Sequence, residues 1–186
     1  MRIYVASSWR NPWQPETVRV LRALGHEVYD FRAPDEPGGT EGGFSWREID
    51  PAWRTWKPDV YRAALDHPLA THGFGRDFGA MKWADGCVMV VPCGRSAALE
   101  LGWCAGAGKR TAVLYPFGIN APSGSAGLKE HGHTLSRHGG PCASCGDLDG
   151  CHKPGELDSV EPELMNRLAD AILLNADELR SWVNRS

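Results

Sequence analysis

Glu100 is the residue in this sequence whose type and position best suit covalent chemistry. It lies between Leu99 and Leu101 in a run of good helix formers. A carboxylate in such a run either faces solvent on an amphipathic helix or points into a pocket. In a pocket, Glu100 could attack the anomeric carbon of a sugar or stabilise an oxocarbenium ion.

Asp77 is the candidate for a second acid. It lies between Phe74 and Phe78 in a predicted helix that leads into a strand, and its side chain either faces solvent or approaches Glu100. Two acids with separated pKa values would allow one to protonate a leaving base while the other stays ionised. The helical spacing of Phe74, Phe78 and Met81 predicts that these three side chains belong to the core.

The stretch 84–115 must position Glu100. It is predicted to form a strand, a tight loop, a helix with Ser96 as its N-cap, and a second strand. Two apolar strands joined by a helix form a right-handed βαβ unit, whose ligands bind at the carboxyl ends of the strands. The loop of Gly94, Arg95 and Ser96 lies at that end, with Glu100 one helical turn further on.

A second βαβ unit is predicted at the start of the chain. Its strands are 2–6 and 26–31, so the sheet order is expected to begin 2-1, and three later strands near residues 88, 113 and 172 complete the sheet. A polar loop after the first strand opens at the same edge as the Gly94–Ser96 loop, which predicts a small-molecule crevice there. The loop has no GxGxxG motif, so a standard dinucleotide site is not indicated. Its residues are Ser7, Ser8, Trp9, Arg10 and Asn11.

Composition limits the class of protein. The 186 residues suit one α/β domain spanning 1–186, and the net charge of −3 without a polybasic patch disfavours a polymeric nucleic-acid partner. No apolar run approaches the length of a membrane span, so no membrane partner is expected. The first residues are predicted to form a strand rather than a signal peptide, so we expect a cytoplasmic location.

Three tryptophans follow a Pro- and Gly-rich loop. Trp46, Trp53 and Trp56 either pack a lid segment against the body of the protein or stack on a flat heterocycle. The sequence leaves both interpretations open.

The six cysteines fall into two groups. Cys87, Cys93 and Cys104 belong to the central βαβ unit, where they are expected to be small core or loop residues. A Cys/His-rich insertion at about 116–158 contains Cys142, Cys145, Cys151 and His152, which could bind a structural Zn²⁺. His131, His133 or His138 could equally supply the fourth ligand, and free thiols or a redox-labile pair are the alternatives.

Three features together resemble the nucleoside 2-deoxyribosyltransferase superfamily, which includes the nucleoside 5′-monophosphate N-glycosidases. They are Tyr4 in the first strand, Asp77 before the central strand, and the run Ser-x-x-x-Glu-Leu-Gly-x-x-x-Gly-x-Gly-Lys that starts at Ser96. The resemblance covers residues 2–115. It implies a flavodoxin-like, Rossmann-like three-layer α/β fold with a five-stranded parallel sheet. It also implies a homodimer or larger homo-oligomer with shared active sites.

The resemblance also implies roles for individual residues. Glu100 would be the nucleophile that attacks C1′, Asp77 the acid that assists base protonation, and Tyr4 the residue that holds the nucleophile. Ser7, Ser8, Trp9 and Arg10 would line the base and sugar site, and Gly94, Arg95 and Ser96 would face the 5′ end of the ligand. The implied activity is cleavage or exchange of an N-glycosidic bond in a nucleoside or nucleotide, by hydrolysis or transfer, without a cofactor for catalysis.

One departure from the family pattern bears on the substrate. Family members that act on free nucleosides often carry an acid near the position of Gly94, where this chain has Gly94, Arg95 and Ser96. A cation and a hydroxyl at a helix N-terminus favour an anion such as a 5′-phosphate, although Arg95 could also be an ordinary surface residue. The alternatives are a non-catalytic nucleotide-binding or sensor module on the same fold and a zinc-stapled interaction protein.

Overall fold

The computed structural model describes residues 1–33, 43–116 and 164–185. The predicted Cys/His-rich insertion, including Cys142, Cys145, Cys151 and His152, lies outside these residues. No helix in the described ranges is long and apolar enough to cross a membrane.

Strands and helices alternate along the described chain. The strands are β1 (Arg2–Ala6), β2 (Glu27–Tyr29), β3 (Gly86–Val90), β4 (Arg110–Leu114) and β5 (Ala171–Leu173). The helices are α1 (Gln14–Ala23), α2 (Pro58–Ala64), α3 (Pro68–Trp83), α4 (Arg95–Gly106) and α5 (Ala176–Asn184). Short 3₁₀ turns occur at Trp46–Glu48, Trp53–Thr55 and Leu164–Leu168.

The five strands form one parallel sheet in the order β2-β1-β3-β4-β5. This is the flavodoxin-like order, in which the chain reverses direction across the sheet between β1 and β3 and leaves a crevice at the strand ends. The predicted strand order and number are confirmed. In the register, Tyr4 of β1 is flanked by Tyr29 of β2 and by Cys87 of β3.

Alternation along β1 divides the core between the two faces of the sheet. Ile3 and Val5 face α1 and α5, where Leu21 and Leu179 are fully buried. Tyr4 and Ala6 face the opposite side, against α3 and α4. Because successive strand residues point to opposite faces, Tyr4 is placed on the face that carries Asp77 and Glu100.

Three helix ends carry local capping signals. Gly25 and Gly108 have φ angles of 84° and 71° and end α1 and α4 in the left-handed conformation that glycine adopts without strain. Asn175 caps α5 by accepting a hydrogen bond from the Glu178 amide at 2.9 Å. Both kinds of signal act locally, so they could be recognised without knowledge of the tertiary structure.

Two expectations are wrong. Helix α4 begins at Arg95 with Gly94 as its N-cap, not with Ser96, because the chain is already extended at Gly94 and turns helical directly after it. Phe74 is 65% exposed rather than part of the core. Its ring stacks on Phe78 at 5.3 Å on the outer side of α3, while Met81 is buried against the sheet as expected.

Candidate active site

Three elements bring Tyr4, Asp77 and Glu100 together on one face of the sheet. Tyr4 is buried in β1, Asp77 lies in the middle of α3, and Glu100 lies in the second turn of α4. The Tyr4 hydroxyl hydrogen-bonds to the Glu100 carboxyl, and the charges of Glu100 and Asp77 interact. The structure therefore brings together the three residues that the sequence selected as catalytic.

The environment of Glu100 makes its carboxyl unusually basic. Burial, together with the negative charge of Asp77, raises the pKa of Glu100 from 4.5 to about 7, against the opposing effect of the Tyr4 hydrogen bond. The same burial, and the charges of both acids, raise the pKa of Tyr4, so its phenol stays protonated and acts as a donor. Glu100 is therefore not the solvated surface glutamate that its sequence context also allowed.

Asp77 is held by a second tyrosine. The Tyr29 hydroxyl donates a hydrogen bond to Asp77 Oδ1 at 2.7 Å. Burial raises the pKa of Asp77, while this hydrogen bond and the positive charge of Arg76 oppose the rise. Two carboxyl groups that interact in this way titrate as a pair, so the protonation of one changes the pKa of the other.

Two thiols lie next to Glu100 on the sheet side. Cys87 of β3 and Cys104, one helical turn after Glu100, are both fully buried and hydrogen-bond to each other. This hydrogen bond, together with burial, raises the pKa of Cys87. Both residues are free cysteines within the core, as the sequence predicts, and they close the apolar side of the site.

The loop after β1 is fastened to the end of β3. Ser7 Oγ donates to the Val90 carbonyl at 2.9 Å, and the Asn11 amide group donates to Ser7 Oγ, Val90 O and Pro92 O at 2.9–3.0 Å. Asn11 is only 1% exposed. These bonds join the two loops that the sequence placed at one edge of the sheet, so the predicted crevice has a fixed wall.

Arg32 fastens the tip of the same loop. Its Nη2 donates to the carbonyls of Ser8, Trp9 and Asn11 at 2.6–2.9 Å. Its guanidinium also lies about 6 Å from the rings of Trp9 and Phe31, which contact each other edge to face. Trp9 is still 49% exposed, so one part of its ring is held while the rest faces solvent.

The loop before α4 presents backbone amides at the carboxyl edge of the sheet. Gly94, Arg95 and Ser96 are all exposed, and no side chain in the described ranges caps the helix. The first amides of an uncapped helix are donors without intrahelical acceptors, and together with the helix dipole they favour an anion. The location agrees with a role at the 5′ end of a ligand, which stays a prediction.

The tryptophan segment packs mainly on itself. Trp46 contacts Phe44, Trp56 and Tyr61 edge to face at centroid distances of 4.8–5.7 Å. The Trp53 ring lies 4.9 Å from the guanidinium of Arg54. These contacts lie within the segment, so packing against the body of the protein and stacking on a heterocycle both stay predictions.

Metal binding is not indicated at the site. Within residues 1–33, 43–116 and 164–185, no group of three or more His, Cys, Asp or Glu side chains could hold a metal ion. The proposed zinc ligands are outside these ranges, so structural zinc stays a prediction.

The sequence did not identify three residues that shape the site. Tyr29 holds Asp77, Asn11 joins the two loops, and Arg32 organises the loop carbonyls. For Tyr29 the sequence offered one signal, which is that each of the first two strands contains a tyrosine. The parallel register places these two tyrosines side by side. Asn11 and Arg32 donate hydrogen bonds to backbone carbonyl groups, and no sequence pattern indicates which carbonyl groups such a side chain will contact.

Comparison with solved structures returns two enzymes of the kind that the sequence motifs resemble. A 2-deoxyribosyltransferase from Bacillus psychrosaccharolyticus is 27% identical over 61% of this chain and 72% of its own, with a TM-score of 0.39. A CMP N-glycosidase from Clostridium botulinum is 14% identical over 99% of this chain and 98% of its own, with a TM-score of 0.38. No family model and no curated protein matches the sequence.

Proposed function

We propose that this protein cleaves or exchanges the N-glycosidic bond of a nucleoside or nucleoside 5′-monophosphate, with Glu100 as the nucleophile. The observation that carries the proposal is the half-buried, interacting pair of Asp77 and Glu100, with Tyr4 donating to Glu100, on one face of a flavodoxin-like sheet. Two interacting carboxyl groups with different pKa values offer a nucleophile and an acid at one site.

In the first step, an ionised Glu100 oxygen attacks C1′ from the face opposite the base. The bond from C1′ to the base nitrogen breaks, its electron pair leaves with the base, and the proton held by Asp77 is transferred to the base. Positive charge developing at C1′ favours the ionised form of Glu100, so the shared proton moves to Asp77 as the reaction proceeds. The product is a glycosyl ester of Glu100.

In the second step, a water molecule or an acceptor base attacks C1′ of this ester. Asp77, now a carboxylate, takes the proton of the incoming group, and the bond from C1′ to Glu100 breaks to regenerate the free carboxylate. Hydrolysis and transfer differ only in the acceptor. Tyr4 keeps its donor hydrogen throughout, since its pKa lies far above neutral, and stabilises the Glu100 carboxylate when it forms and when it is released.

A nucleoside 5′-monophosphate is the substrate class that the α4 end suits best. The uncapped amides of the first turn and the exposed Arg95 offer donors and a positive charge to a phosphate. Ser7, Ser8, Trp9 and Arg10 would then contact the base and sugar, on a loop that Asn11 and Arg32 hold through Ser7, Ser8 and Trp9.

We also propose a homodimer or larger homo-oligomer. Leu99 is 75% exposed and Phe74 is 65% exposed, the largest values among the large apolar side chains in the described ranges. Each lies on one of the helices that supply the acid pair, next to Glu100 and Asp77 respectively. A second copy covering this surface would remove apolar area from water close to the site.

The decisive experiment incubates the protein with a panel of nucleosides and 5′-monophosphates, with and without an acceptor base, and measures free base by chromatography. We expect release from at least one 5′-monophosphate, and a loss of about a thousandfold or more in Glu100→Gln with binding retained. Glu27→Gln, which changes an exposed glutamate on β2, is the matched control. Binding without base release in the wild type would favour the nucleotide sensor instead.

A further inference from the structure

Tyr29 stands in a special relation to Tyr4. The two residues are directly paired in the parallel register of β1 and β2, and their rings stack at 5.5 Å with an interplanar angle of 11°. Stacked rings on neighbouring strands present their hydroxyl groups side by side, toward the same face of the sheet. The edge strand therefore contributes to the site although it lies furthest from α4.

Each tyrosine holds one of the two acids. Tyr4 donates to Glu100, and Tyr29 donates to Asp77 Oδ1 at 2.7 Å. The four groups thus form two matched hydrogen bonds, with one strand residue and one helix residue in each. A phenol that donates to a carboxylate stabilises the ionised form, because the protonated form accepts a weaker hydrogen bond.

We propose that Tyr29 is a positioning residue for the acid pair, fixing the Asp77 carboxyl group and helping to determine which of the two acids carries their shared proton. The inference rests on the proposed function for the meaning of that proton, but not for the contacts themselves. Because the hydrogen bond occupies Oδ1, the proton given to the base is carried on Asp77 Oδ2.

The two hydroxyl groups act on the proton in opposite directions. The Tyr29 hydrogen bond favours an ionised Asp77 and leaves the proton on Glu100, while the Tyr4 hydrogen bond favours an ionised Glu100 and leaves the proton on Asp77. In the protein without substrate, burial raises the pKa of Glu100 to about 7 and also raises the pKa of Asp77, so Glu100 carries a proton below neutral pH. Charge developing at the sugar then draws the proton across the pair.

Other titratable and charged groups also face Asp77 and Glu100, and a variant used as a test must leave these groups in place. Asp77 is faced by Tyr29 from β2, Tyr4 from β1, Glu100 from α4 and Arg76 from its own helix. Glu100 is faced by Tyr4, Asp77, Cys87 of β3 and Cys104 of its own helix. Among residues 1–33, 43–116 and 164–185, Tyr4 and Tyr29 are the tyrosines seen to donate a phenol hydrogen to these acids, one to each, so removing one oxygen at a time isolates their effects.

The test compares Tyr29→Phe with Tyr4→Phe in protein labelled with ¹³C at aspartate and glutamate carboxyl groups. Carboxyl chemical shifts report the protonation of Asp77 and Glu100 separately as pH is changed. In Tyr29→Phe we expect Asp77 to titrate at higher pH and Glu100 at lower pH than in the wild type. In Tyr4→Phe we expect the reverse for both groups. An unchanged Asp77 titration in Tyr29→Phe, or a change in the same direction in both variants, overturns the inference.

A packing role is separated by a second substitution. Tyr29→Leu removes the stacked ring as well as the hydroxyl, whereas Tyr29→Phe keeps the ring. If Tyr29 only packs, Tyr29→Phe behaves like the wild type in the titration and Tyr29→Leu lowers the thermal midpoint, which also overturns the inference. Both variants are checked for native secondary structure by circular dichroism.

Activity provides an independent measurement. The proposal has Tyr29 act through its hydrogen bond to Asp77 and not through contact with substrate, so we expect kcat of Tyr29→Phe to fall about tenfold with KM within about twofold of the wild type. An unchanged kcat in an otherwise active protein overturns the positioning role. If the wild type releases no base from any substrate, the proposed function fails, but the carboxyl titrations still decide whether Tyr29 controls the shared proton.

Discussion

Tyr4 and Glu100 form a hydrogen bond between the third residue of the first strand and the second turn of the central helix. This hydrogen bond depends on two features of the fold: β1 lies beside β3, and α4 crosses back over the sheet. Any change that moves α4 relative to β1 breaks it. The Tyr4–Glu100 hydrogen bond therefore depends on the observed order of the strands.

The activity should depend on pH as expected for a pair that needs one proton. Above about pH 7 the pair loses its last proton and no acid remains for the base, so kcat/KM should fall. At lower pH both acids become protonated and no nucleophile remains, so kcat/KM should fall there too. Steady-state kinetics between about pH 5 and pH 9 measure this profile, and a flat profile would contradict the paired mechanism.

Asp77→Asn provides the matched control for that profile. The Asp77 charge is one of the two causes that raise the pKa of Glu100, so its removal should lower the Glu100 pKa. The variant should also lose most activity because asparagine cannot carry the proton. A Glu100 titration that does not move would show that the two groups do not interact.

Glu100→Gln should stabilise the protein at high pH. The folded-state pKa of about 7 lies above the ordinary 4.5, so the folded state binds more protons than the unfolded state between these pH values. Stability is therefore lost as pH rises from about 4.5 to about 7, by at most about 3 kcal/mol from this group. Removing the carboxylate removes that loss. We expect Glu100→Gln to gain about 1–3 kcal/mol at pH 8 and little at pH 4 in urea denaturation.

The control variant Glu27→Gln tests whether removing any negative charge has the same effect on stability. Glu27 is exposed on the edge strand, and its substitution should change stability by less than about 0.5 kcal/mol at either pH. A gain in Glu100→Gln that is the same at pH 4 and pH 8 would contradict the assigned cause.

Asn11→Ala should destabilise the protein strongly. The Asn11 side chain is 1% exposed; its amide donates to Pro92 O and Val90 O, and its oxygen accepts from the Trp13 amide at 2.9 Å. Removal leaves the Pro92 carbonyl and the Trp13 amide without this partner, so we expect a loss of about 3 kcal/mol. Asn175→Ala, which removes only the cap of α5, should cost about 1 kcal/mol. Urea denaturation measures both, and equal losses would contradict the buried-clamp role.

Much of the fold could be predicted because its signals are local. The apolar runs of β1, β3 and β4, the glycines that end α1 and α4, and the Asn175 cap each act within a few residues. Right-handed crossovers then leave few ways to order the strands. Glu100 could be proposed as a site residue for the same reason, since it lies one helical turn after Ser96 and the strand ends share an edge, whereas Tyr4 was selected through the family resemblance.

What could not be predicted depends on tertiary contacts. The helical spacing of Phe74, Phe78 and Met81 defined one side of α3. It did not show how much of that side the sheet would cover, so the core was predicted to include Phe74, which is exposed. Tyr29 and Asp77 are 48 positions apart, and their contact requires both the register of β2 and the position of α3. No feature near either residue in the sequence indicates it.

Arg32→Lys should weaken substrate binding more than it slows the chemical step. Lysine keeps the positive charge but cannot donate in the plane of a guanidinium to the carbonyls of Ser8 and Trp9, or stack in the same way on the Trp9 ring. The loop should become less ordered, so we expect KM to rise about tenfold with kcat within about threefold. Arg19→Lys on α1, where the residue pairs with Glu16, is the control and should leave both constants unchanged. A large fall in kcat with unchanged KM would instead place Arg32 in the chemical step.

Leu99→Glu should dissociate the proposed oligomer. A charge at the most exposed apolar position of α4 would be buried without a partner if a second copy covers this surface, which is strongly unfavourable. We expect sedimentation velocity to show the wild type as a dimer or larger species and Leu99→Glu as a monomer with native circular dichroism. Leu168→Glu changes another exposed leucine, away from the acid pair, and should leave the assembly intact. A monomeric wild type, or a Leu99→Glu variant that sediments with it, would contradict an interface on α4. Leu99 directly precedes Glu100. If the wild type loses activity only at protein concentrations low enough for the oligomer to dissociate, assembly is needed to complete the site.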